Sequence, residues 1–191
     1  MRQIVFASTN RGKYKEFKKS FAGLPVEFLF AGDFENQKKI EVEETGSSYE
    51  ENAILKAKAY AESLGLTALA DDSGLEVAAL DGKPGIYSAR MGNTDQERLS
   101  WLLTSLDGQE NRAAQFMCAI ALVEPNGVTQ TVRGTCQGKI IAAPQGESGF
   151  GYDPVFVPNG YDKTFAELGI DVKDKISHRA NAIKKIKEIL K

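Results

Sequence analysis

LTALADDSG, residues 66–74, is the stretch of sequence that decides the fold. Residues 66–70 are short and apolar, as expected of a buried central strand. The pattern predicts that this strand ends at Ala70 and delivers the acidic turn 71–74 at its end. Loops at strand ends are where α/β proteins usually carry their chemistry, so the acidic turn is a candidate functional site.

Strand and helix patterns alternate on either side of this stretch. Apolar residues recur at three- and four-residue steps in the predicted helices, while the predicted strands are rich in β-branched and aromatic residues. The predicted strands cover residues 3–7, 26–30, 66–70, 113–123 and 128–141. The first predicted helix starts at residue 13 and is ended by Gly23 and Pro25. The other predicted helices cover residues 49–65, 96–106 and the tail from 177. The last two strands are joined at a Pro-Asn-Gly turn and predict an antiparallel hairpin. This order favours an α/β fold with a mixed central sheet and flanking helices in a single domain over 1–191.

The composition argues against several classes of protein. Among 191 residues, 24 basic and 26 acidic side chains leave a formal net charge of -2, which argues against a general binder of nucleic acid or membrane surfaces. Cys118 and Cys136 form no C-x-x-C pair and the chain has one histidine, so neither a disulfide framework nor a zinc site is indicated. We find no apolar run of about 18 residues and no signal-peptide core, so the expected compartment is the cytoplasm.

A candidate phosphate-binding loop follows the first predicted strand. Free backbone N–H groups at a helix start and the helix dipole favour an anion there, and Lys13 adds a positive charge in the first turn. Hydroxyl and amide side chains at a helix start are also ordinary capping residues, so both interpretations stay open. The residues of this loop are Ser8, Thr9, Asn10, Arg11, Gly12 and Lys13.

Carboxylates are concentrated around the acidic turn. Asp71 and Asp72 follow the apolar strand, and three glutamates precede the long helix. Carboxylates with waters and substrate phosphates are the usual ligands of magnesium, although a solvated acidic turn has the same composition. Because consecutive residues of an extended chain point to opposite sides, we expect one aspartate of the pair to face the metal directly. The three glutamates, within the turn-rich stretch 33–48, are Glu41, Glu43 and Glu44.

Two further segments carry groups that suit a nucleotide. Residues 146–154 combine glycines, aromatic rings and a carboxylate, so they can wrap a planar base, although a turn that only reverses the chain also uses glycine. Lys173 precedes His178 and Arg179 at the start of the last predicted helix. Two cations there oppose the helix dipole, which suggests a bound anion or electron-rich oxygen, whereas a lone histidine near a cap is often structural.

Six ordered blocks of sequence resemble one known family. They are ASTNRGK at 7–13, EETGSSYEENAILKA at 43–57, ADDSGLEV at 70–77, PGIYSAR at 84–90, GFGYDPVF at 149–156 and ISHRANA at 176–182. In this order they resemble the inosine/xanthosine triphosphate pyrophosphatases, also called Ham1-like proteins, over nearly the whole chain. The departures are mild: the first loop of the family usually reads Thr-Gly-Asn or Thr-Thr-Asn, and residues 146–149 replace a run with threonine and an extra glycine.

The resemblance implies both a fold and an activity. It implies a mixed α/β fold whose two lobes flank a long cleft, and a homodimeric, magnesium-dependent enzyme that converts ITP, dITP or XTP to the monophosphate and pyrophosphate. It further implies that Glu43 and Asp72 hold Mg2+ and that Asp72 is the general base. The residues implied to contact the nucleotide are Ser8, Thr9, Asn10, Arg11, Gly12, Lys13, Ser73, Phe150, Gly151, Tyr152, Asp153, Lys173, His178 and Arg179.

Two other functions stay open on the sequence. A pyrophosphatase acting on modified pyrimidine or methylated nucleotides, as Maf-like proteins do, would use similar parts. A nucleotide-binding sensor would bind through the same loops without cleaving the ligand. For the pyrophosphatase, we expect water oriented by Asp72, directly or through the metal, to attack the α-phosphorus. Arg179, His178 or backbone N–H groups are expected to contact the oxygen at position 6 of the purine.

Overall fold

Seven strands and six α-helices form along residues 1–34 and 40–191, which are the residues that the computed structural model describes. The strands are β1 (Arg2–Phe6), β2 (Val26–Phe30), β3 (Thr67–Val77), β4 (Pro84–Gly85), β5 (Ala113–Val123), β6 (Thr129–Ile140) and β7 (Phe156–Pro158). The helices are α1 (Arg11–Ser20), α2 (Tyr49–Leu64), α3 (Asp95–Ser105), α4 (Phe165–Leu168), α5 (Ile170–Ile176) and α6 (His178–Ile189). Residues 35–39, part of the turn-rich stretch predicted over 33–48, lie outside the described residues.

The described strands belong to one mixed sheet. Its order is β2-β1-β3-β5-β6-β7, and β4 pairs with β3. β1 runs parallel to both of its neighbours, with Ile4 opposite Phe28 of β2 and opposite Thr67 of β3. β4 is antiparallel to β3, and β7 is antiparallel to β6. Parallel and antiparallel pairs in one sheet, together with the helices, confirm the predicted mixed α/β fold.

The chain divides into two compact units, and β3, β5 and β6 contribute residues to both. The first unit contains residues 1–72, 119–133 and 182–191, and the second contains residues 73–118 and 134–181. The single domain with a long cleft stays a prediction.

Aromatic rings and small side chains form the core of the first unit. The spacing along α1 turns Phe17 and Phe21 inward, where both rings contact Phe28 of β2. Three alanines of α2 are fully buried in one cluster with two alanines of β3, and small side chains let the helix lie close to the strand. This packing places α2 next to the part of β3 that leads into Asp71 and Asp72. The five alanines are Ala53, Ala57, Ala61, Ala68 and Ala70.

The second unit has a core of its own. Leu75 and Val77 of β3 are fully buried there, in a cluster with Leu102 and Leu106 from the end of α3. The ring of Phe156 in β7 packs in the same cluster against two further aromatic rings, those of Phe116 and Phe165.

β3 continues beyond Ala70 as far as Val77, so the prediction that residues 71–74 form a turn at the end of a strand is wrong. The strand continues because its later apolar residues are buried in the core of the second unit. Gly74 permits the pairing with β4, since a Cβ atom at this position would lie 2.2 Å from the carbonyl oxygen of Gly85. The acidic residues therefore lie inside a strand, where the direction of each side chain is set by the sheet.

Local signals predicted the bounds of several other elements. The predicted helix 49–65 corresponds to α2, which begins after Ser48, whose Oγ accepts the N–H of Glu51, and is followed by Gly65 with a φ of 66°. The predicted bounds of β2 and β5 are confirmed. The short elements β4, β7, α4 and α5 were not predicted. Every α-helix within residues 1–34 and 40–191 is too short or too polar to cross a membrane.

Candidate active site

The two consecutive aspartates of β3 have different partners. Nζ of Lys13 lies 3.1 Å from Oδ1 and 3.0 Å from Oδ2 of Asp71. Asp72 instead accepts a hydrogen bond from Nδ2 of Asn52 at 3.2 Å and one from Nζ of Lys56 at 3.3 Å. Both aspartates are buried, and their separate contacts agree with the predicted alternation of side chains along an extended chain.

Residues 8–13 cover the end of the connection from β1 and the first turn of α1. Oδ1 of Asn10 accepts the N–H of Lys13 at 3.0 Å, so Asn10 is the N-cap of α1. Oγ of Ser8 accepts the N–H of Asn10 at 3.1 Å, which holds the turn into the helix. The capping role is therefore confirmed for Asn10, and the phosphate-binding role of the loop stays a prediction. The exposed residues of the loop are Thr9, Asn10, Arg11 and Gly12.

Lys56 of α2 brings two carboxylates together. Its Nζ lies 2.6 Å from Oε1 of Glu44 and 3.3 Å from Oδ1 of Asp72. Asn52 lies one turn earlier on the same helix, so both side chains reach Asp72 from one helix face. The neighbouring Glu43 is exposed, and its role as a metal ligand stays a prediction.

Together, burial and the neighbouring charges raise the pKa values of both Asp72 and Lys56. Burial raises the pKa of Asp72 above its ordinary value; the ammonium of Lys56 opposes this rise, and repulsion from Glu44 adds to it. Burial alone would lower the pKa of Lys56, but the carboxylates of Asp72, Asp71 and Glu44 outweigh it and the pKa is raised. Lys56 is therefore a cation at neutral pH, and Asp72 takes up a proton more readily than an exposed aspartate. Such a carboxylate is suited to act as a general base.

The carboxylates of Asp72 and Glu44 are of the kind that can hold a magnesium ion. Nζ of Lys56 is a cation placed between the carboxylates of Glu44 and Asp72, so this position attracts positive charge. Magnesium is usually bound by one or two carboxylates together with waters and substrate phosphates rather than by a closed protein cage. Residues 1–34 and 40–191 hold no cluster of three or more histidine, cysteine or acidic side chains placed for a metal, so the fit rests on this pair of carboxylates.

Sequence reasoning did not single out Asn52 and Lys56. Both lie on the predicted helix 49–65, among the apolar residues that mark its buried face. Asn52 is fully buried, and its Oδ1 accepts the N–H of Gly46 at 2.8 Å. A polar residue whose neighbours on the helix face are buried needs a specific partner, and this is the signal that could have identified both positions.

In the second unit, residues 150–153 form a turn held by their own aspartate. Asp153 is buried, accepts the N–H of Phe150 at 2.9 Å and pairs with Nζ of Lys173. The same ammonium lies 4.2 Å from the centre of the Phe150 ring, which is exposed. Gly149 permits this turn, because it has a φ of 84° and a Cβ atom there would lie 2.2 Å from Oδ2 of Asp153.

The other two residues of this turn are held by neighbouring segments. The N–H of Gly151 donates to Oδ2 of Asp95 at 2.8 Å. The hydroxyl of Tyr152 donates to the carbonyl of Ser88 at 2.9 Å. The backbone of the turn is therefore anchored on both sides while the ring of Phe150 stays exposed.

His178 and Arg179 begin α6, and both side chains are buried. Nη2 of Arg179 donates to Oγ of Ser73 at 3.3 Å, and its guanidinium lies 6.0 Å from the centre of the Phe150 ring. The ring of His178 stacks on Phe116 with the centres 4.7 Å apart. The structure thus brings Ser73, Arg179, Lys173 and Phe150 into one neighbourhood, and it places His178 against an aromatic ring of the core.

Comparison with known proteins identifies the family. A model of the Ham1 family matches residues 4–189. The chain belongs to the Ham1 family. A Ham1 relative from Gloeobacter violaceus named dITP/XTP pyrophosphatase is 49% identical over 97% of this chain and 93% of the relative. A relative of the same name from Bacillus subtilis is 45% identical over 100% of this chain and 98% of the relative.

Solved structures of Ham1 proteins share this fold. The Ham1 protein of Staphylococcus aureus has a TM-score of 0.90 and 44% identity over 99% of this chain and 98% of that chain. The HAM1 protein of Coxiella burnetii has a TM-score of 0.92 and 39% identity over 100% of this chain and 98% of that chain. The predicted fold and the resemblance to this family are both confirmed, whereas the roles of individual site residues stay predictions.

Proposed function

We propose that this Ham1-family chain hydrolyses ITP, dITP and XTP to the nucleoside monophosphate and pyrophosphate, and so removes deaminated purine nucleotides from the pool. The names of the relatives, dITP/XTP pyrophosphatase, support this substrate class. The observation that carries the proposal is the group in which Lys56 joins the carboxylates of Glu44 and Asp72. Hydrolysis of a triphosphate needs cations that offset its charge and a carboxylate that accepts a proton, and this group holds both.

The first unit supplies the groups proposed to bind the phosphates. The negative oxygens of a triphosphate repel an incoming oxygen nucleophile, so cations and N–H donors must offset that charge. Lys13 and Lys56 are partly exposed ammonium groups, and residues 9–12 are exposed at the N-terminus of α1. In the bound state, each ammonium would exchange part of its contact with a carboxylate for contact with phosphate.

Mg2+ is the proposed cofactor. The resemblance implies Asp72 and Glu43 as its ligands. We include Glu44 in the proposal, because its carboxylate shares the ammonium of Lys56 with Asp72 and so lies near that side chain. Mg2+, when bound, would offset the charge on the phosphates and stabilise the charge that develops as pyrophosphate leaves. Two carboxylates are sufficient where waters and substrate phosphates complete the ligand set.

Asp72 is proposed to act as the general base. Water oriented by its carboxylate attacks the α-phosphorus in line, the bond from that phosphorus to the bridging oxygen of pyrophosphate breaks, and the proton of water passes to Asp72. In the chain without metal, burial raises the pKa of Asp72, so its carboxylate takes up a proton more readily than an exposed one. The amide of Asn52 and the ammonium of Lys56 hold the carboxylate in place.

The second unit supplies the groups proposed to recognise the base. The exposed ring of Phe150, with Lys173 and Arg179 near it, offers a flat surface for stacking. The oxygen at position 6 of hypoxanthine or xanthine accepts a hydrogen bond from Arg179, His178 or a backbone N–H. Adenine has an amino group there, which would place donor against donor at a cost of about 1–3 kcal/mol per buried contact.

The proposal extends to assembly and location. The resemblance implies a homodimer, and the cytoplasm is the proposed compartment. The formal net charge of -2 favours a small nucleotide, rather than nucleic acid or a membrane surface, as the partner.

Product analysis over a panel of nucleotides tests the proposed function. dITP, XTP, dATP, dGTP, dTTP and UTP are incubated with the chain, with and without Mg2+, and monophosphate and pyrophosphate are quantified. We expect release of pyrophosphate from dITP and XTP in the presence of Mg2+, and little release from the other nucleotides. Preferred cleavage of dTTP or UTP would indicate a Maf-like specificity, and tight binding of ITP without cleavage would indicate a sensor.

A further inference from the structure

The N-terminus of α3 contacts the turn at residues 150–153 from outside the proposed site. Oδ2 of Asp95, the first residue of α3, accepts the N–H of Gly151 at 2.8 Å. The two residues lie 56 positions apart in the sequence. Asp95 is therefore a tertiary anchor for the turn, in addition to its place in the first turn of a helix.

Further hydrogen bonds connect this contact to the backbone of residues 88–89. Oδ1 of Asp95 pairs with Nη1 of Arg98 at 2.5 Å, and Nε of Arg98 donates to the carbonyl of Ala89 at 3.1 Å. The next residue back along the chain, Ser88, accepts the hydroxyl of Tyr152 at 2.9 Å. Burial raises the pKa of Tyr152 to about 12, so this hydroxyl stays a donor at neutral pH. The carbonyl of Ala89 is thus linked to the N–H of Gly151 through Arg98 and Asp95. The hydroxyl of Tyr152 links the same two segments directly.

The turn needs such an anchor because one glycine precedes it and a second lies within it. Gly149 and Gly151 have φ values of 84° and 62°, and glycine has more backbone freedom to lose than any other residue. Asp153 fixes the N–H of Phe150, and Tyr152 fixes the far end of the turn, whereas Asp95 fixes the N–H between them. These three contacts hold the segment that carries the exposed ring of Phe150.

We propose that Asp95 is a positioning residue for base recognition, which sets the Phe150–Asp153 turn through the N–H of Gly151 and the pair with Arg98. The proposal rests on the proposed function of that turn, because it assumes that the exposed ring of Phe150 meets a purine. Asp95 itself does not contact the substrate. Its loss should therefore weaken binding of the base and discrimination between bases more than it slows the chemical step.

Three variants separate positioning from helix stability. Asp95→Ala removes the acceptor for Gly151 and the partner of Arg98, while Asp95→Asn keeps an oxygen that can accept the N–H of Gly151. Glu97→Gln is the matched control, because Glu97 is also an acid in the first turn of α3 but contacts the backbone N–H groups of Asn93 and Thr94 instead. A loss of negative charge at the N-terminus of α3 would affect Glu97→Gln as much as Asp95→Asn.

Steady-state kinetics with dITP and dATP, and exchange of the Gly151 amide measured by NMR, test the proposal. For Asp95→Ala we expect KM for dITP to rise about three- to tenfold, the worth of one hydrogen bond, with kcat nearly unchanged and the preference for dITP over dATP reduced. Asp95→Asn should recover most of the loss, and Glu97→Gln should match the wild type. The Gly151 amide should exchange faster in Asp95→Ala than in Glu97→Gln.

Other outcomes would overturn the proposal in distinguishable ways. Unchanged KM and base preference in Asp95→Ala, in an active enzyme, would exclude a positioning role. Equal changes in Asp95→Ala and Glu97→Gln would reduce the role to helix stability. If the wild type cleaves neither dITP nor XTP, the proposed function fails, whereas unchanged exchange of the Gly151 amide in Asp95→Ala would refute the anchor itself.

Discussion

The lysine-carboxylate pairs of the first unit are more accessible to water than the pair of the second unit. The side chains of Lys13 and Lys56 are 22% and 17% exposed. Lys173 and its partner Asp153 are only 4% and 2% exposed. A partly exposed pair gains little net free energy because water competes for both charges, whereas a buried charge that loses its partner is costly.

This difference separates pairs that a substrate can open from a pair that the fold requires. In the first unit, water reaches each ammonium although the partner aspartates are buried, so an ammonium can turn part of its contact toward phosphate while it stays beside its aspartate. In the second unit, the pair of Lys173 and Asp153 holds the turn that carries Phe150 whether or not a nucleotide is bound. Substitutions in the first unit should therefore change activity, and substitutions in the buried pair should change stability.

The largest effect is expected from Asp72→Asn. The substitution keeps the size of the side chain but removes its charge and its ability to accept a proton, so kcat for dITP should fall by about 10³-fold. The circular dichroism spectrum should stay close to that of the wild type, which shows that the variant is folded. Asp71→Asn is the matched control, because Asp71 contacts Lys13 rather than Lys56, and it should lose much less activity. Equal losses in the two variants would contradict the distinct role of Asp72.

Breaking the buried pair should have the next largest effect, on stability. Lys173→Met leaves a buried carboxylate at Asp153 without its ammonium, so the free energy of unfolding in urea should fall by about 3–5 kcal/mol. Lys175→Met, at an exposed position of the same helix, should change it by about 0.5 kcal/mol or less. A loss of stability in Lys173→Met as small as in the control would show that the fold does not depend on this pair.

A smaller effect is expected at Lys13. Lys13→Gln removes a charge proposed to bind phosphate, so kcat/KM for dITP should fall about 10- to 100-fold, the range for hydrogen bonds to charged groups. Lys15→Gln, an exposed lysine on the same helix, should retain the activity of the wild type. Equal activities of Lys13→Gln and Lys15→Gln would remove Lys13 from the phosphate site.

The smallest effect is a pH dependence of stability at Asp72. Burial raises the pKa of Asp72 in the folded chain, so between the ordinary pKa and the raised pKa the folded chain holds a proton that the unfolded chain has lost. The contribution of Asp72 to stability therefore falls as pH rises through this window. The raised pKa of Lys56 acts only in the alkaline range, where its stabilising charge is lost as pH rises through that pKa.

Unfolding of wild type and Asp72→Asn from pH 4 to pH 7 measures this dependence. The variant should gain stability relative to the wild type as pH rises, because it carries no buried charge at this position. A relative stability that stays constant, or that changes in the opposite direction, would show that burial does not raise the pKa of Asp72.

Local signals made part of the fold predictable. Ser48 and Gly65 marked the ends of α2 because capping depends on residues next to the helix end. The end of β3 was not predictable in this way. The polar run 71–74 has the composition of a turn, and the strand continues because Leu75 and Val77 find a core with Leu102 and Leu106, which are distant in sequence. β4 and β7, with two and three residues, are too short to show a period.

The candidate site also has a part that the sequence predicts and a part that depends on contacts between distant segments. The sequence indicated which residue types were available, and the alternation of Asp71 and Asp72 followed from strand geometry. Their partners could not be predicted, because the contact of Lys56 with Asp72 depends on how α2 packs against β3 through small alanines. The anchor from Asp95 to Gly151 joins segments 56 residues apart and has no local signal at either end.

Hydrolysis of dITP in water enriched in oxygen-18 tests most directly whether Asp72 orients water toward the α-phosphorus. We predict that the label appears in dIMP and not in pyrophosphate, as measured by mass spectrometry of both products after a single turnover. Label in pyrophosphate with unlabelled dIMP would place the attack on the β-phosphorus and contradict the proposed mechanism.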